Sequence, residues 1–98
     1  MLDIQLKWDQ IQENFPFPYD FEIPTELVVI DSEIVAFIEK ILDYKASVWN
    51  EEAAFLENIA VLQNFDASRL ETRAQFYFEE LLNLALLIKG RKKISLPL

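Results

Sequence analysis

Carboxylates are the main chemical equipment of this chain: Asp and Glu make up 17 of its 98 residues, while His and Cys are absent. They cluster as adjacent pairs at Glu51-Glu52 and Glu79-Glu80, and carboxylates projecting from neighbouring helices hold magnesium without help from histidine. Other chemistry is poorly served. A Ser or Thr nucleophile needs a base beside it, and without His the remaining choice is a desolvated lysine; no Ser-x-x-Lys occurs. Gly90 is the single glycine, so neither a P-loop nor a dinucleotide-binding glycine motif is present. The lack of Cys removes disulfides, thiolate nucleophiles and zinc-thiolate centres, and with them the secreted disulfide scaffolds. No cofactor is expected.

The elements that would position these groups read as helices. Leu2, Ile4, Leu6 and Trp8 alternate as a strand would, yet Ile4, Trp8, Ile11 and Phe15 share one helical stripe, and we favour a helix over residues 3–14 stopped by Pro16. Residues 15–24, Phe-Pro-Phe-Pro-Tyr-Asp-Phe-Glu-Ile-Pro, place Phe15, Phe17, Tyr19, Phe21 and Ile23 at odd positions. Three prolines exclude a helix there, and an extended backbone would put all five apolar side chains on one side. The segment is therefore expected to be a strap. It either closes a groove between helices or offers an aromatic docking surface.

Thr25 to Ile30 fits a short helical turn capped by Thr25 or a brief extended run, and Asp31 or Ser32 then offers an N-cap for a new helix. From there Ile34, Ile41, Val48, Phe55 and Leu62 recur every seven residues. The pattern permits one long helix over 34–65 or two helices with a break near Trp49 to Glu51, where Asn50 would cap the second; we lean towards the break. Ser68-Arg-Leu-Glu71 has the form of a capping box, predicting a helix from there to Lys89 with Gly90 as its C-cap. Phe76, Leu82, Leu84, Leu86 and Leu87 make its last turns apolar nearly all round. Such a helix is either central in the bundle or half of an oligomer interface. Arg91, Lys92 and Lys93 then sit where cations favour a helix end, with a short C-terminal tail, Ile94 to Leu98, after them.

The fold class expected is all-α: one domain over residues 1–98, a three- to four-helix bundle with an extended Pro/aromatic strap at 15–24 and a short tail. Within it, Glu51-Glu52-Ala-Ala-Phe55-Leu-Glu57 and Glu79-Glu80-Leu-Leu-Asn83 resemble the paired motifs of the all-α nucleoside triphosphate pyrophosphohydrolases of the MazG type. Those enzymes place Glu-Glu-x-x-Glu on one helix and Glu-x-x-Asp on the next. The resemblance implies a magnesium-dependent pyrophosphohydrolase, active or degenerate, resting on Glu51, Glu52, Glu79 and Glu80. Phe55 stands where the third Glu belongs and Asn83 replaces the Asp, so two expected metal ligands are missing or neutral. Helix-start and solvated-face placement explains both acidic pairs without a metal, and a non-enzyme is the expectation.

Function is then expected from the surface. Net charge is −8, and residues 1–66 carry 3 basic and 14 acidic side chains, a balance of −11, against +3 over residues 67–98. Nucleic acid would be repelled; a basic protein partner would be attracted and steered. We expect a protein-binding module, such as an inhibitor, immunity factor, chaperone or adaptor, that engages a basic partner through Phe17, Tyr19, Phe21, Glu51 and Glu52. The alternative is a structural homo-oligomer packed through Phe76 to Ile88. The N-terminus lacks the basic start and apolar core of a signal peptide, and Leu81 to Ile88 is far too short to span a membrane. An intracellular, cytoplasmic location without membrane contact is the corresponding expectation.

Overall fold

The computed structural model describes residues 2–44 and 52–95, in which four α-helices and no strands are found. They are α1 (Leu2–Asn14), α2 (Thr25–Tyr44), α3 (Glu52–Asn64) and α4 (Thr72–Ser95), with a 3-10 turn at Ala67–Arg69. Their directions emerge from pairs of contacts at opposite ends. Asp3 pairs with Arg91 and the carbonyl of Asn14 accepts from Arg73, so α1 and α4 run antiparallel. Phe37 stacks on Phe55 and Glu33 accepts from Asn58, so α2 and α3 do the same. With α3 and α4 joined by a short turn and packed together, the result is an up-down-up-down bundle, the architecture that short connections favour.

Each helix contributes one apolar stripe to a shared core. In α1 it is Ile4, Trp8 and Ile11; in α2 Leu27, Ile34, Phe37, Ile38 and Ile41; in α3 Phe55, Ile59 and Leu62; in α4 Ala74, Tyr77, Phe78, Leu81, Leu84, Ala85 and Ile88. The spacings of three and four residues are those of a helix face. The seven-residue recurrence expected from 34 to 62 thus divides between two helices packed on each other, as the break requires. Its expected position, Trp49 to Glu51, and the Asn50 cap lie outside the described residues.

Three local expectations are corrected. Residues 25–30 are helical and continuous with residues 31–44, so neither Asp31 nor Ser32 is a cap; α2 begins directly after Pro24, whose carbonyl accepts from the Leu27 amide at 2.8 Å. The Ser68–Glu71 capping box does not form. Asp66 caps the 3-10 turn instead, accepting from the Ser68 amide at 3.0 Å and its hydroxyl at 2.7 Å, and Glu71 accepts from the backbone amide of Glu22 at 2.8 Å. Gly90 is not a C-cap. It has no positive φ, and α4 continues through it to Ser95, so the tail expected after residue 90 is helical as far as Ser95, and residues 96–98 lie outside the described ones. Arg91, expected only to solvate a helix end, pairs with Asp3 and ties α4 to the start of α1.

The helix from Phe76 to Ile88 lies against both α1 and α3. Leu81, Leu84, Ala85 and Ile88 face the chain's own core, Leu82, Leu86 and Leu87 are half-buried, and Phe76 is exposed. No helix among the described residues is long and apolar enough to cross a membrane.

Candidate functional site

The strap between α1 and α2 is pinned to the bundle by its own aromatics. Phe15 and Phe21 are buried, Tyr19 and Ile23 half-buried, while Phe17 stands 83 % exposed. The expectation of five apolar side chains on one side is therefore corrected at Phe17. Strict alternation needs an unbent extended backbone, and this one bends at residues 17–18 and 20–21, with a cis Phe17–Pro18 bond.

Under the strap the rings converge on Tyr77 of α4. Phe15 meets it edge-on at 5.6 Å between centroids, Phe21 lies tilted at 5.6 Å and Tyr19 at 4.9 Å, and Tyr19 stacks on Phe21 at 5.0 Å with only 13° between planes. Such pairs stabilise by about 0.5–1.5 kcal/mol each beyond the area they bury. The outer edge is held by charge: Arg73 donates to Asp20 at 3.1 Å and to the Asn14 carbonyl at 3.0 Å, with its guanidinium 4.9 Å above the Phe15 ring.

A single polar side chain is buried with this cluster among the described residues. Asp31, 7 % exposed, projects from the core face of α2 between Leu27 and Ile34. The Tyr77 hydroxyl donates to its Oδ1 at 2.5 Å, Tyr19 donates to Oδ2 at 3.3 Å, and the two hydroxyls lie 2.7 Å apart. The three groups form a triangle with three edges. Two phenols supply only two protons, so an ionised Asp31 leaves one edge short, and a protonated carboxyl closes the ring. Burial pushes the Asp31 carboxyl above its ordinary value, against the opposing pull of the two tyrosine hydrogen bonds. It also pushes both phenols upward, with the Asp31 charge adding to the effect. No buried side-chain nitrogen or oxygen of the described residues is left without a partner.

Beside this triangle a cleft of about 260 Å³ opens between α1, α2 and the strap, lined chiefly by Trp8, Phe15, Phe17, Tyr19, Tyr77 and Glu39. A second hollow adjoins it, sharing Trp8, Gln12 and Glu39 and adding Asp43. Neither Glu39 nor Asp43 has a hydrogen-bond or ion-pair partner among the described residues. Aromatic faces next to unpaired carboxylates present negative potential to whatever enters.

The residues singled out in the sequence are only partly assembled. Phe17 and Tyr19 meet edge-on at 5.6 Å at the mouth of the cleft, whereas Phe21 sits in the core behind them, 9 % exposed, and offers no surface in this conformation. Glu52 lies in the first turn of α3, half-buried. The α2 residues facing α3, Glu33 and Phe37, are nearly half a helical turn around from Val35 and Glu39, which line the cleft, so Glu52 belongs to the opposite side of α2. Glu51 is outside the described residues. Glu79 and Glu80 are exposed on α4, Phe55 is buried against Phe37, and no group of three or more metal-ligating side chains lies within reach of a common ion among the described residues.

Sequence reasoning missed Asp31, Tyr77, Trp8 and Glu39 as site residues. For Asp31 a signal existed: read as helical from Thr25, the chain places Leu27, Asp31, Ile34 and Ile38 on one stripe. Comparison with known protein families, with curated proteins and with solved structures finds no match to this chain.

Proposed function

We propose that this protein is a non-enzymatic binding module whose acidic, aromatic strap face engages a basic protein partner. The observation that carries the reading is Phe17: a large aromatic side chain left 83 % exposed on a segment whose flanking rings are fastened into the core. Exposed aromatics at the mouth of a hollow are the residue type that dominates binding energy when a partner covers them. Charge supports the same reading, since the acidic excess is concentrated in residues 1–66, which include the strap and both of the helices it joins. At low salt this field would accelerate encounter with a basic surface and reject nucleic acid.

The test is capture of partners by the tagged protein from its native lysate at low salt and at about 0.5 M salt, where exposed charge attraction is largely screened, in parallel with the Phe17→Ala variant. A stoichiometric basic protein that is released by salt and retained less well by the variant is the expected result. Equal capture by a well-folded Phe17→Ala protein removes the strap from the interface. Recovery of only the chain itself, as a salt-resistant multimer, replaces the reading with self-association.

A further inference from the structure

We infer that the cleft beneath Phe17 is a receptor for an arginine side chain, presented by the proposed basic partner, on whose existence this inference rests. The void of about 260 Å³ is lined by Trp8, Phe15, Phe17, Tyr19 and Tyr77, of which Phe17 and Tyr19 have exposed ring surface and the other three form a buried floor, and Glu39 stands at its edge. A planar guanidinium stacks on aromatic faces and pairs in a fork with a carboxylate, and it sheds water more readily than an ammonium does. The cleft supplies both halves of that recognition.

The chain itself shows the geometry twice. Arg73 lies 4.9 Å above the centroid of Phe15 while donating to Asp20 at 3.1 Å. Arg69 lies 4.8 Å above Phe65 while pairing with Glu26 at 3.1 Å. In both, an arginine meets one aromatic face and one carboxylate. In the cleft the exposed Phe17 and Tyr19 rings and the carboxylate are assembled, and neither Glu39 nor Asp43 beside it has a cation among the described residues. Phe15 contributes to one of the internal sites and to the cleft wall alike. The Tyr19 and Tyr77 hydroxyls are committed to Asp31; Tyr77 is 1 % exposed and backs the cleft, so Tyr19, half-buried, is the tyrosine whose ring is available to the void.

A neutral or acidic occupant is disfavoured on the same grounds. An apolar side chain would leave Glu39 unanswered, and an acidic one would meet Glu39, Asp43 and a chain of net charge −8. A lysine ammonium satisfies the charge, yet it lacks the flat face that the Phe17 and Tyr19 rings accommodate.

Heteronuclear NMR titration with an Arg-Gly repeat decapeptide, and with its citrulline and lysine counterparts, tests the inference. The arginine peptide is expected to shift the Trp8 indole and the amides of Val35 and Glu39, with citrulline at least about 5-fold weaker and lysine intermediate, as loss of the charge or of the planar fork predicts. Glu39→Gln and Phe17→Ala, both on the surface and outside the core, are each expected to weaken the arginine peptide about 3- to 5-fold without changing the fold. Shifts confined to other acidic surfaces overturn the arginine receptor and leave the binding-module reading standing. Equal binding of the citrulline or lysine peptide overturns the assignment of arginine. No shift anywhere at low salt counts against both readings together.

Discussion

Replacing Tyr77 by Phe keeps the ring at the centre of the aromatic cluster and deletes one oxygen, and its effect is calculable from the triangle it belongs to. The hydroxyl donates to Asp31 Oδ1 at 2.5 Å and sits 2.7 Å from the Tyr19 hydroxyl. Loss of a hydrogen bond to a buried charged group costs about 1.5–3 kcal/mol and of one between neutral hydroxyls about 0.5–1.5 kcal/mol. The Asp31 carboxylate would retain only the Tyr19 hydroxyl, at 3.3 Å, a weak contact for a group 7 % exposed. Recovery of part of the loss by Tyr19 turning fully to Asp31 brings the expected destabilisation to about 2–3 kcal/mol, and Tm should fall by about 8–20 °C for a domain of this size. Equilibrium urea unfolding monitored by tryptophan fluorescence at pH 7 is the assay, with an unchanged denaturant slope showing that the same two states are compared. The measurement becomes specific in the Asp31→Asn background. There the acceptor is neutral, and deleting the hydroxyl should cost only about 1 kcal/mol, giving a coupling of about 1–2 kcal/mol between the two positions. A Tyr77→Phe protein within about 0.5 kcal/mol of the parent, or equal costs in both backgrounds, would refute the account of Asp31 as a buried charge held by two phenols.

Asp31→Asn alone should be favoured increasingly as pH rises. Because burial raises the Asp31 carboxyl in the folded state, its contribution to stability is fully present below the unfolded value of about 3.9 and is lost as pH rises through the folded one. The Asn amide supplies the ring's third proton at every pH, so the difference in stability between variant and parent should move towards the variant between pH 3.5 and pH 7 in paired urea curves. A difference independent of pH would mean that Asp31 does not titrate on unfolding. Gly90→Ala should stabilise by about 0.5–1 kcal/mol, since Gly is a poor helix former. The helix runs through this position without positive φ, and an added Cβ meets nothing within 4 Å; a lower Tm would contradict the helical placement. Phe21→Ala should lose about 3 kcal/mol and Phe17→Ala no more than about 1 kcal/mol in thermal unfolding, because one ring is buried and the other is exposed and edge-on to Tyr19. Equal losses would mean that the strap packs differently.

The bundle was legible where physics is local. Ile4, Trp8 and Ile11, or Phe55, Ile59 and Leu62, announce a helix by spacing alone, and the restriction that Pro16 places on Phe15 ends α1 where expected. The errors arose where a distant residue outbid a local signal. Glu71 fits a capping box with Ser68, yet its carboxylate is taken by the Glu22 amide 49 residues away and Asp66 takes the Ser68 amide. Gly90 looked like a stop because glycine usually marks positive φ at a helix end; the helix extends past it, and its next residue, Arg91, pairs with Asp3 at the other end of the chain.

The site was less legible for the same reason. An acidic residue beside Ser32 and Glu33 reads as the start of a helix, and only partners 12 and 46 residues away, Tyr19 and Tyr77, make it a core residue. The arrangement has a consequence for the strap. Tyr19 is the one strap residue whose polar group reaches Asp31, and its ring stacks on Phe21 at 5.0 Å and meets Phe17 at 5.6 Å. The buried carboxylate thus orients the tyrosine, the tyrosine links the core to the exposed phenylalanine, and Phe17 stands where it does through that chain of contacts. A polar group at the centre of an apolar bundle, a weak contributor to stability on its own, acts here as the peg on which the proposed binding face is hung. Tyr19→Phe should accordingly disturb the arginine-peptide response of Trp8 and Glu39 more than it disturbs Tm, and a variant that binds as the parent does would show that ring stacking alone holds Phe17 in place.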